Sequence, residues 1–574
     1  MKAVHKPRHA AAVLILLGVA GAYGFLGRYD RHLGGDQVRL ATVAVKDHNP
    51  TLYGYDPVYG PAGPWRGHSP LFQAMLKLAM VPTGYQDLSL PFRAMVPVMV
   101  LVHLLGMYAL VYRQCRSWSV SVFIAVLSST VTVTLGGWVW GAGTPAMVTP
   151  AGLCQSLWPV VVLGFLAAVD AGTGRRGSKF DPHRARVGLG RWKLPAVFAC
   201  IGLLGNVNLP AAMNMVLVLV AVYLVGRRFS PRAWPMAIGC VLVAAAAAAP
   251  QAGYLIVLRY SPGQGGYASL ATVFKALGEA KLPVLFPMVA GALMDWLLVC
   301  AVLIIVAGAV LIRLERFHSP NVGLWLGMLA TAVVISVGLT GLAQLVAMLL
   351  GRGPVVVDFV QAAPLAMLPL YVLAAQTLTN LFRLSRRGRM PRWACAALMV
   401  VWMVPAENLR VARHQVYEWG TAFMAAEDKP VRMQKRGERI RRGAELRRMA
   451  QWARHNTPVD AVFIVDSDEF RMWSRRSIVA GHDVRWVLYL APWRLERWMA
   501  RSERQRRMLR PPVGKADTEA LRRFTGDLAS EPPWKNVKHW YVVLRGEVAP
   551  EESAWLEYMR PQGWGKHFVL GRVK

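Results

Sequence analysis

The sequence predicts an α-helical polytopic membrane protein with a small C-terminal α/β soluble domain. The chain of 574 residues is 55% hydrophobic and only 17% charged. Its apolar residues are gathered in runs of about 18 or more, the length that an α-helix needs to cross ~30 Å of hydrocarbon. The last third of the chain lacks such runs and alternates helical with strand-like patterns, which is typical of an α/β domain.

About eleven transmembrane helices are expected. The first, at 9–27, follows the basic residues Lys2, Lys6 and Arg8, so we expect it to be uncleaved with its N-terminus in the cytoplasm. The other spans are expected at 94–113, 118–137, 154–170, 193–208, 210–226, 236–257, 288–313, 322–349, 358–382 and 393–406. The chain then divides into a first helix (1–27), a first outer loop (28–92), a helix bundle (93–406) and an extracytoplasmic α/β domain (407–574).

Charge in the loops favours this topology. The loops counted as cytoplasmic are rich in Arg and Lys, whereas those counted as outer carry few. We therefore expect a plasma (inner) membrane protein with its tail outside. The turn at 206–210 leaves one alternative open, because two short helices there could form a re-entrant pair, which would place the tail inside.

A net charge of +34 raises the possibility of nucleic-acid binding. No nucleic-acid recognition motif accompanies the charge, and many basic residues lie in short loops, where they set topology and contact anionic lipid. We therefore expect membrane lipid as a partner, and no nucleic acid.

The tail, 407–574, has helical spacing at 439–455, 491–509 and 517–528. Strands are expected at 461–466, 477–481, 540–546 and 567–573, and their alternation with helices favours a parallel sheet. No glycine-rich phosphate-binding loop follows any of these strands, so a nucleotide site is not supported.

The first outer loop carries the strongest candidate chemistry. Its start looks partly amphipathic and could lie along the membrane surface, and 69–80 is expected to form an interfacial helix. Between them lie Asp47, His48, Asp56 and His68, among aromatic residues, prolines and glycines. A carboxylate at a membrane surface can act as a general base or hold a divalent cation against phosphate, and a His can assist. The alternative is that these side chains are simply solvated.

The stretch His68-Ser69-Pro70-Leu71-Phe72, following an acidic residue in a loop after the first span, resembles the first outer loop of the GT-C superfamily. These are polytopic glycosyltransferases that use polyprenyl-phosphate sugar donors, such as protein mannosyltransferases and lipid A aminoarabinose transferases. The expected topology is also similar. The resemblance implies a GT-C-like fold, and it implies that Asp56 or Asp47 is the catalytic base or binds a divalent cation. The chain has no Asp-Glu pair in this loop, unlike many of these enzymes. The tail segment around 452–478 resembles uncharacterised bacterial membrane proteins.

Other residues on the expected outer side fit a lipid-phosphate enzyme. Arg259 and Arg352 could hold donor phosphate, or could reach to the membrane interface without binding a ligand. Trp138 and Trp140 could stack on a sugar, or could belong to the aromatic belt of the interface. Asp295 is either an intramembrane carboxylate or a loop residue.

His103 is expected to contact a neighbouring helix. The tail residues Asp466, Asp468 and Glu469 lie near Arg471, Arg475 and Arg476, where we expect a surface salt-bridge network rather than a metal site.

The sequence therefore favours a membrane glycosyltransferase that transfers a sugar from a polyprenyl-phosphate donor on the outer face. Two alternatives stay open. One is a transporter or flippase for a lipid-linked or anionic solute, which predicts broken helices and ionisable residues at mid-membrane depth. The other is a non-catalytic membrane scaffold that displays the tail.

Overall fold

The computed structural model describes most of the chain. The described residues are 5–29, 33, 35–60, 69–130, 134–135, 138–139, 148–173, 192–260, 269–279, 321–350, 358–386, 393, 396–397, 399–400, 416, 424, 431–481, 484, 487–488, 491–509, 518–545, 555–559 and 567–574.

The described part before residue 387 is almost entirely helical. Its helices are α1 (His5–Tyr29), α2 (Gly35–His48), α3 (Pro70–Met80), α4 (Leu90–Cys115), α5 (Trp118–Thr130), α6 (Pro150–Thr173), α7 (Lys193–Gly205), α8 (Leu209–Gly226), α9 (Ala233–Tyr260), α10 (Leu270–Glu279), α11 (Val322–Val333), α12 (Thr340–Leu349) and α13 (Met367–Arg386). A π-helical segment, Val334–Leu339, joins α11 to α12, and a 3-10 segment, Phe359–Ala366, leads into α13. Two short strands, β1 (Thr134–Leu135) and β2 (Trp138–Val139), form an antiparallel hairpin.

Seven of the described helices or continuous helical stretches are long and apolar enough to cross a membrane. The expected number, about eleven, is therefore not confirmed. Two expected spans correspond to α5 and α7, which have 13 residues each. At 1.5 Å per residue such a helix is about 20 Å long, short of the ~30 Å hydrocarbon core. The expected spans at 288–313 and, for most of its length, 393–406 lie outside the described residues.

Small residues allow the bundle helices to approach closely. A Cβ atom on Gly202 of α7 would lie 2.2 Å from the carbonyl oxygen of Ala244 in α9. The most enclosed stretch is Phe359–Arg386, whereas α1 and α9 lie at the periphery. Polar side chains on α13 are therefore buried, among them Gln376, Thr377 and Asn380.

Contacts divide the bundle into two ends. At one end, His9 near the start of α1 bonds to Tyr108 of α4, and Arg113 of α4 pairs with Asp170 of α6. At the other end, the backbone N–H of Leu71 in α3 donates to the carbonyl oxygen of Asn206, in the turn between α7 and α8 (3.0 Å). Helices α2 and α3 lie at this second end. The expectation that the start of the first loop lies along the surface was incomplete, because residues 37–46 of α2 are buried beneath α3 and the tail.

The tail is a small α/β unit with a mixed sheet. Its helices are α14 (Val431–Asn456), α15 (Asp468–Ser474), α16 (Leu495–Leu509) and α17 (Thr518–Ser530), and its strands are β3 (Val462–Ile464), β4 (Ser477–Ile478), β5 (Trp540–Arg545), β6 (Leu556–Met559) and β7 (Phe568–Val573). The strand order is β4-β3-β5-β7-β6. Strand β3 is parallel to β4 and β5, whereas β7 runs antiparallel to β5 and β6.

The tail rests on the second end of the bundle. Besides contacts to the first loop, it binds α10 through α16: the backbone N–H of Ser269 donates to Glu496 Oε1 (2.8 Å), and Lys275 pairs with Glu503 (2.9 Å). A bilayer cannot separate segments that touch in this way. The first loop, α10 and the tail therefore lie on one side of any membrane that the bundle crosses.

Candidate functional site

Residues 49–60 of the first outer loop, which follow α2, are held in one conformation by hydrogen bonds within the loop. The ammonium group of Lys46, at the end of α2, donates to the carbonyl oxygens of Pro50 (2.6 Å) and Leu52. The backbone N–H of Gly60 donates to the carbonyl oxygen of Asp56 (2.7 Å). A Cβ atom at position 60 would lie 2.4 Å from that oxygen, so this tight turn requires glycine.

Asp56 lies at the centre of the contact between this loop and the tail. Its Oδ1 accepts from the backbone N–H groups of Val58 (2.9 Å) and Tyr59 (3.0 Å) within the loop. Its Oδ2 accepts from Arg471 Nε (2.8 Å) and the backbone N–H of Ile478 (3.2 Å), both in the tail. Both oxygens of the carboxylate are thus hydrogen-bonded, one by the loop and one by the tail. Asp56 and Arg471 are 415 positions apart in the sequence.

This ion pair is buried: the side chains of Arg471 and Asp56 are 1% and 0% exposed. Burial raises the pKa of Asp56 above its ordinary value, while Arg471 and the three backbone N–H donors oppose that shift. For Asp56 to act as a general base, the Arg471 bond would have to be broken. The geometry is that of a residue that positions the loop.

The sequence analysis placed Arg471 in a surface salt-bridge network and missed its buried pairing with Asp56. Its guanidinium lies over the Tyr59 ring, 4.7 Å from the centroid, and its backbone carbonyl oxygen accepts from the Tyr53 hydroxyl (3.5 Å). The Oδ1 atom of Asp468 lies 3.5 Å from Arg471 Nη1. The expected surface salt-bridge network was wrong in this respect, because Arg471 and Arg476 are buried. No local pattern in the sequence distinguishes a buried Arg from a surface Arg in so basic a tail.

Further bonds fasten the loop to the tail. The backbone N–H of Tyr55 donates to Ser477 Oγ (3.2 Å), and Arg494 Nη1 donates to the carbonyl oxygen of Pro57 (3.1 Å). Arg475 donates to the carbonyl oxygen of Tyr85, and Arg454 Nη2 donates to Gln86 Oε1 (3.0 Å), both in the turn that follows α3. The tail therefore contacts the first outer loop at two places, residues 55–57 and the turn at 85–86.

Asp47 and His48 lie at the end of α2 and are more accessible than Asp56. Asp47 Oδ2 is 2.9 Å from Lys77 Nζ in α3, and the carboxylate is partly exposed. The exposed ring of His48 stacks on Tyr85, with 3.9 Å between the ring centroids. His48 therefore lies against the turn to which Arg454 and Arg475 bind, whereas Asp47 pairs with Lys77 in α3.

The remaining candidates are less well described. His68, Trp140, Asp295 and Arg352 lie outside the described residues. Arg259 lies in the last turn of α9, and Trp138 lies in β2; only their backbones are described. His103 is buried and bonds to Ser128 Oγ (3.1 Å), which is consistent with the expected helix contact.

No metal site is found where the structure describes the chain. Among those residues, no three His, Cys, Asp or Glu side chains come together in a group that could hold a metal ion. In the tail, Asp466 lies 3.7 Å from Arg545, and Asp468 lies beside Arg471, so their nearest charged neighbours are arginines.

Residues 444–501 match a family described as Domain of unknown function (DUF6798). No curated protein matches the chain. The matched segment runs from the second half of α14 to the middle of α16. It contains Arg454, Arg471, Arg475, Ser477 and Arg494, the tail residues whose bonds to the first outer loop are described above. In this chain, the matched segment is thus the part of the tail that receives the loop.

Proposed function

We propose that this chain is a membrane glycosyltransferase of the GT-C type, which transfers a sugar from a polyprenyl-phosphate donor to an acceptor on the outer face of the plasma membrane. The observation that supports it most is the docking of the first outer loop, through Asp56 and Arg471, between the bundle and the tail. A lipid-borne donor requires a site at the bilayer surface. A loop held between interfacial segments and a soluble domain can provide such a site.

Within this proposal Asp56 positions the loop, and Asp47 or His48 supplies the base. Both lie at the end of α2: His48 is exposed and stacks on Tyr85, and Asp47 is partly exposed beside Lys77. The base would take the proton from the acceptor hydroxyl or amine. The freed electron pair would form the new bond to the anomeric carbon, and the polyprenyl phosphate would leave with the electrons of the old bond.

The outer location is supported by two facts together. The first loop, α10 and the tail contact one another, so they share one side of the membrane. The loops at the other end include Arg116 and residues 227–232, with Arg227, Arg228 and Arg232, and positive charge favours the cytoplasmic side.

The test is turnover by the purified protein in lipid nanodiscs with a panel of polyprenyl-phosphate sugars. Wild type should release the carrier lipid phosphate. Asp47→Asn or His48→Gln should lower kcat by roughly 100-fold or more, the contribution of a general base. Asp170→Asn is the matched control, because it removes an acidic residue at the other end of the bundle. Full turnover in both loop variants would move the chemistry away from α2.

A transporter of an anionic or lipid-linked solute is the second candidate. The π-helical segment Val334–Leu339 interrupts a long apolar helix, and such segments are frequent at functional sites. The segment packs against the 3-10 segment Phe359–Ala366, which buried Asp358 precedes. Flux of a labelled polyprenyl-phosphate sugar across proteoliposomes, without its cleavage, would favour this candidate.

A further inference from the structure

Two arginines of the tail, Arg454 and Arg475, meet at the turn between α3 and α4. Arg454 lies in the last turn of α14, and Arg475 follows α15 in a left-handed conformation (φ 55°). Arg454 donates to the side-chain amide oxygen of Gln86, and Arg475 donates to the backbone carbonyl oxygen of the neighbouring residue, Tyr85. Both acceptors are uncharged. The two guanidinium groups, which we call the arginine pair, are therefore close together.

No carboxylate in the described part of the chain pairs with the arginine pair. The nearest acidic residues of the first loop are engaged elsewhere: Asp47 with Lys77 (2.9 Å) and Asp87 with Arg93 (3.3 Å). Asp56 is held by Arg471. The Nε–H group of Arg475 is buried and has no acceptor among the described residues.

The neighbouring Arg476 differs in this respect. It donates to the carbonyl oxygens of Arg454 (2.8 Å) and Thr457 (2.6 Å), which are the free acceptors at the C-terminal end of α14. Arg476 therefore satisfies the end of that helix, whereas each member of the arginine pair donates one side-chain hydrogen bond to the turn at 85–86, among the contacts that the structure describes.

Electrostatics at the arginine pair are unfavourable without an anion. Burial, together with the charges of Arg454 and Arg476, lowers the pKa of Arg475 to about 10, and only Tyr53 opposes this shift. Burial also lowers the pKa of Arg454. Two half-buried like charges repel each other unless a counter-charge lies between them.

The arginine pair is reachable from outside. Gln86 and His48 are exposed, and both border the turn. The turn also lies between α3 and α4, and α4 is long and apolar enough to cross a membrane. In the proposed arrangement the start of α4 lies near the lipid headgroups.

We propose that Arg454 and Arg475 form a binding site for a phosphate group, with His48 at its rim. Guanidinium groups bind phosphate through paired, charge-assisted hydrogen bonds, and a pair of them suits a dianionic monoester or the bridging phosphate of a lipid-linked sugar. The phosphate site adds a donor-binding site to the proposed function. The site itself stands without that function, and only the assignment of its phosphate to a donor lipid rests on it.

The test measures binding of radiolabelled farnesyl phosphate to full-length protein in detergent, with farnesol as the uncharged comparison and inorganic phosphate as competitor. Arg454→Gln removes one guanidinium. Gln86→Glu keeps both arginines but places a carboxylate next to Arg454, where it takes the place of the ligand. Arg522→Gln is the matched control, since this exposed arginine of α17 lies elsewhere in the tail.

Farnesyl phosphate should bind and farnesol should not. Both Arg454→Gln and Gln86→Glu should weaken binding by roughly tenfold or more, the loss expected for one charge-assisted contact, and Arg522→Gln should not. Competition by inorganic phosphate would assign the site to the phosphate group itself, whereas failure to compete would assign it to a lipid phosphate. Equal binding of farnesol, or an unchanged Kd in both site variants, would overturn the proposal.

This readout is independent of turnover. Binding without any sugar transfer would count against the transferase and keep the phosphate site. Sugar transfer with an unchanged Kd in both site variants would keep the transferase and overturn the site. Because Gln86→Glu supplies a counter-charge, it should also raise the thermal unfolding midpoint, so that a loss of binding in this variant is not a loss of fold.

Discussion

At the scale of single residues, the buried pair Asp56–Arg471 contributes more to specificity than to net stability. Desolvating two charges costs as much as their attraction returns, and an apolar pair of similar size often stabilises a protein equally well. Removing one partner is different, because the other charge stays buried without compensation. We therefore expect the pair to favour one relative position of the first loop and the tail, in which both charges are compensated.

We expect Arg471→Met to lower the free energy of unfolding by about 3–5 kcal/mol, because Asp56 would be left buried and unpaired. The double variant Asp56→Asn, Arg471→Met should lose less than the sum of the two single variants. Thermal or denaturant unfolding of the purified protein measures all three. Arg522→Met, on the surface, should change stability by less than about 0.5 kcal/mol. Additive losses in the cycle would show that the two side chains do not depend on each other.

At the scale of elements, the sequence predicted what local periodicity determines. The tail strands expected at 461–466, 477–481, 540–546 and 567–573 are present, although shorter, and α3 lies where the interfacial helix was expected. Strand β6 was missed because its sequence, Leu-Glu-Tyr-Met, has none of the β-branched residues that indicate β3 and β5. Asp56 was recognised from its aromatic surroundings. The pairing of Asp56 with Arg471 was not predicted, because no local sequence pattern indicates a partner 415 positions away.

The turn at 56–60 gives a test at this scale. Gly60→Ala should destabilise the protein by about 2 kcal/mol or more and loosen the docked loop, because its Cβ would lie 2.4 Å from the Asp56 carbonyl oxygen. Gly54→Ala in the same loop is the matched control, since nothing lies within 4 Å of its Cβ. Unfolding midpoints and protease cleavage of the loop would report the effect. A Gly60→Ala protein as stable as Gly54→Ala would contradict this account of the turn.

At the scale of the whole molecule, contacts between distant segments constrain the topology more than hydropathy does. Hydropathy alone left the turn at 206–210 ambiguous. The bond from Leu71 to Asn206 joins that turn to the first outer loop, and α10 joins the tail. The total number of spans could not be predicted with certainty, because α5 and α7 are helical and apolar yet shorter than the bilayer core.

Cysteine labelling in intact spheroplasts tests this arrangement. In a variant without native cysteines, Asn49→Cys in the first loop and Lys535→Cys in the tail should react with a membrane-impermeant maleimide. Arg228→Cys, after α8, should react only once the membrane is permeabilised. All three positions are exposed in the structure, so accessibility within the protein does not limit labelling. Labelling of Asn49→Cys without Lys535→Cys would contradict the docked arrangement.

The distance along the chain between Asp56 and its partner has a consequence for biosynthesis. The ribosome adds about 5–20 residues per second, so the 415 residues that separate Asp56 from Arg471 take roughly 20 to 80 s to make. During that interval the first outer loop has been inserted but has nothing to close upon. Its carboxylate remains in water, and its peptide stays open to proteases. A nascent chain that stops before residue 471 therefore leaves residues 49–60 undocked and exposed, so that an unfinished chain differs from a finished one near its N-terminal end.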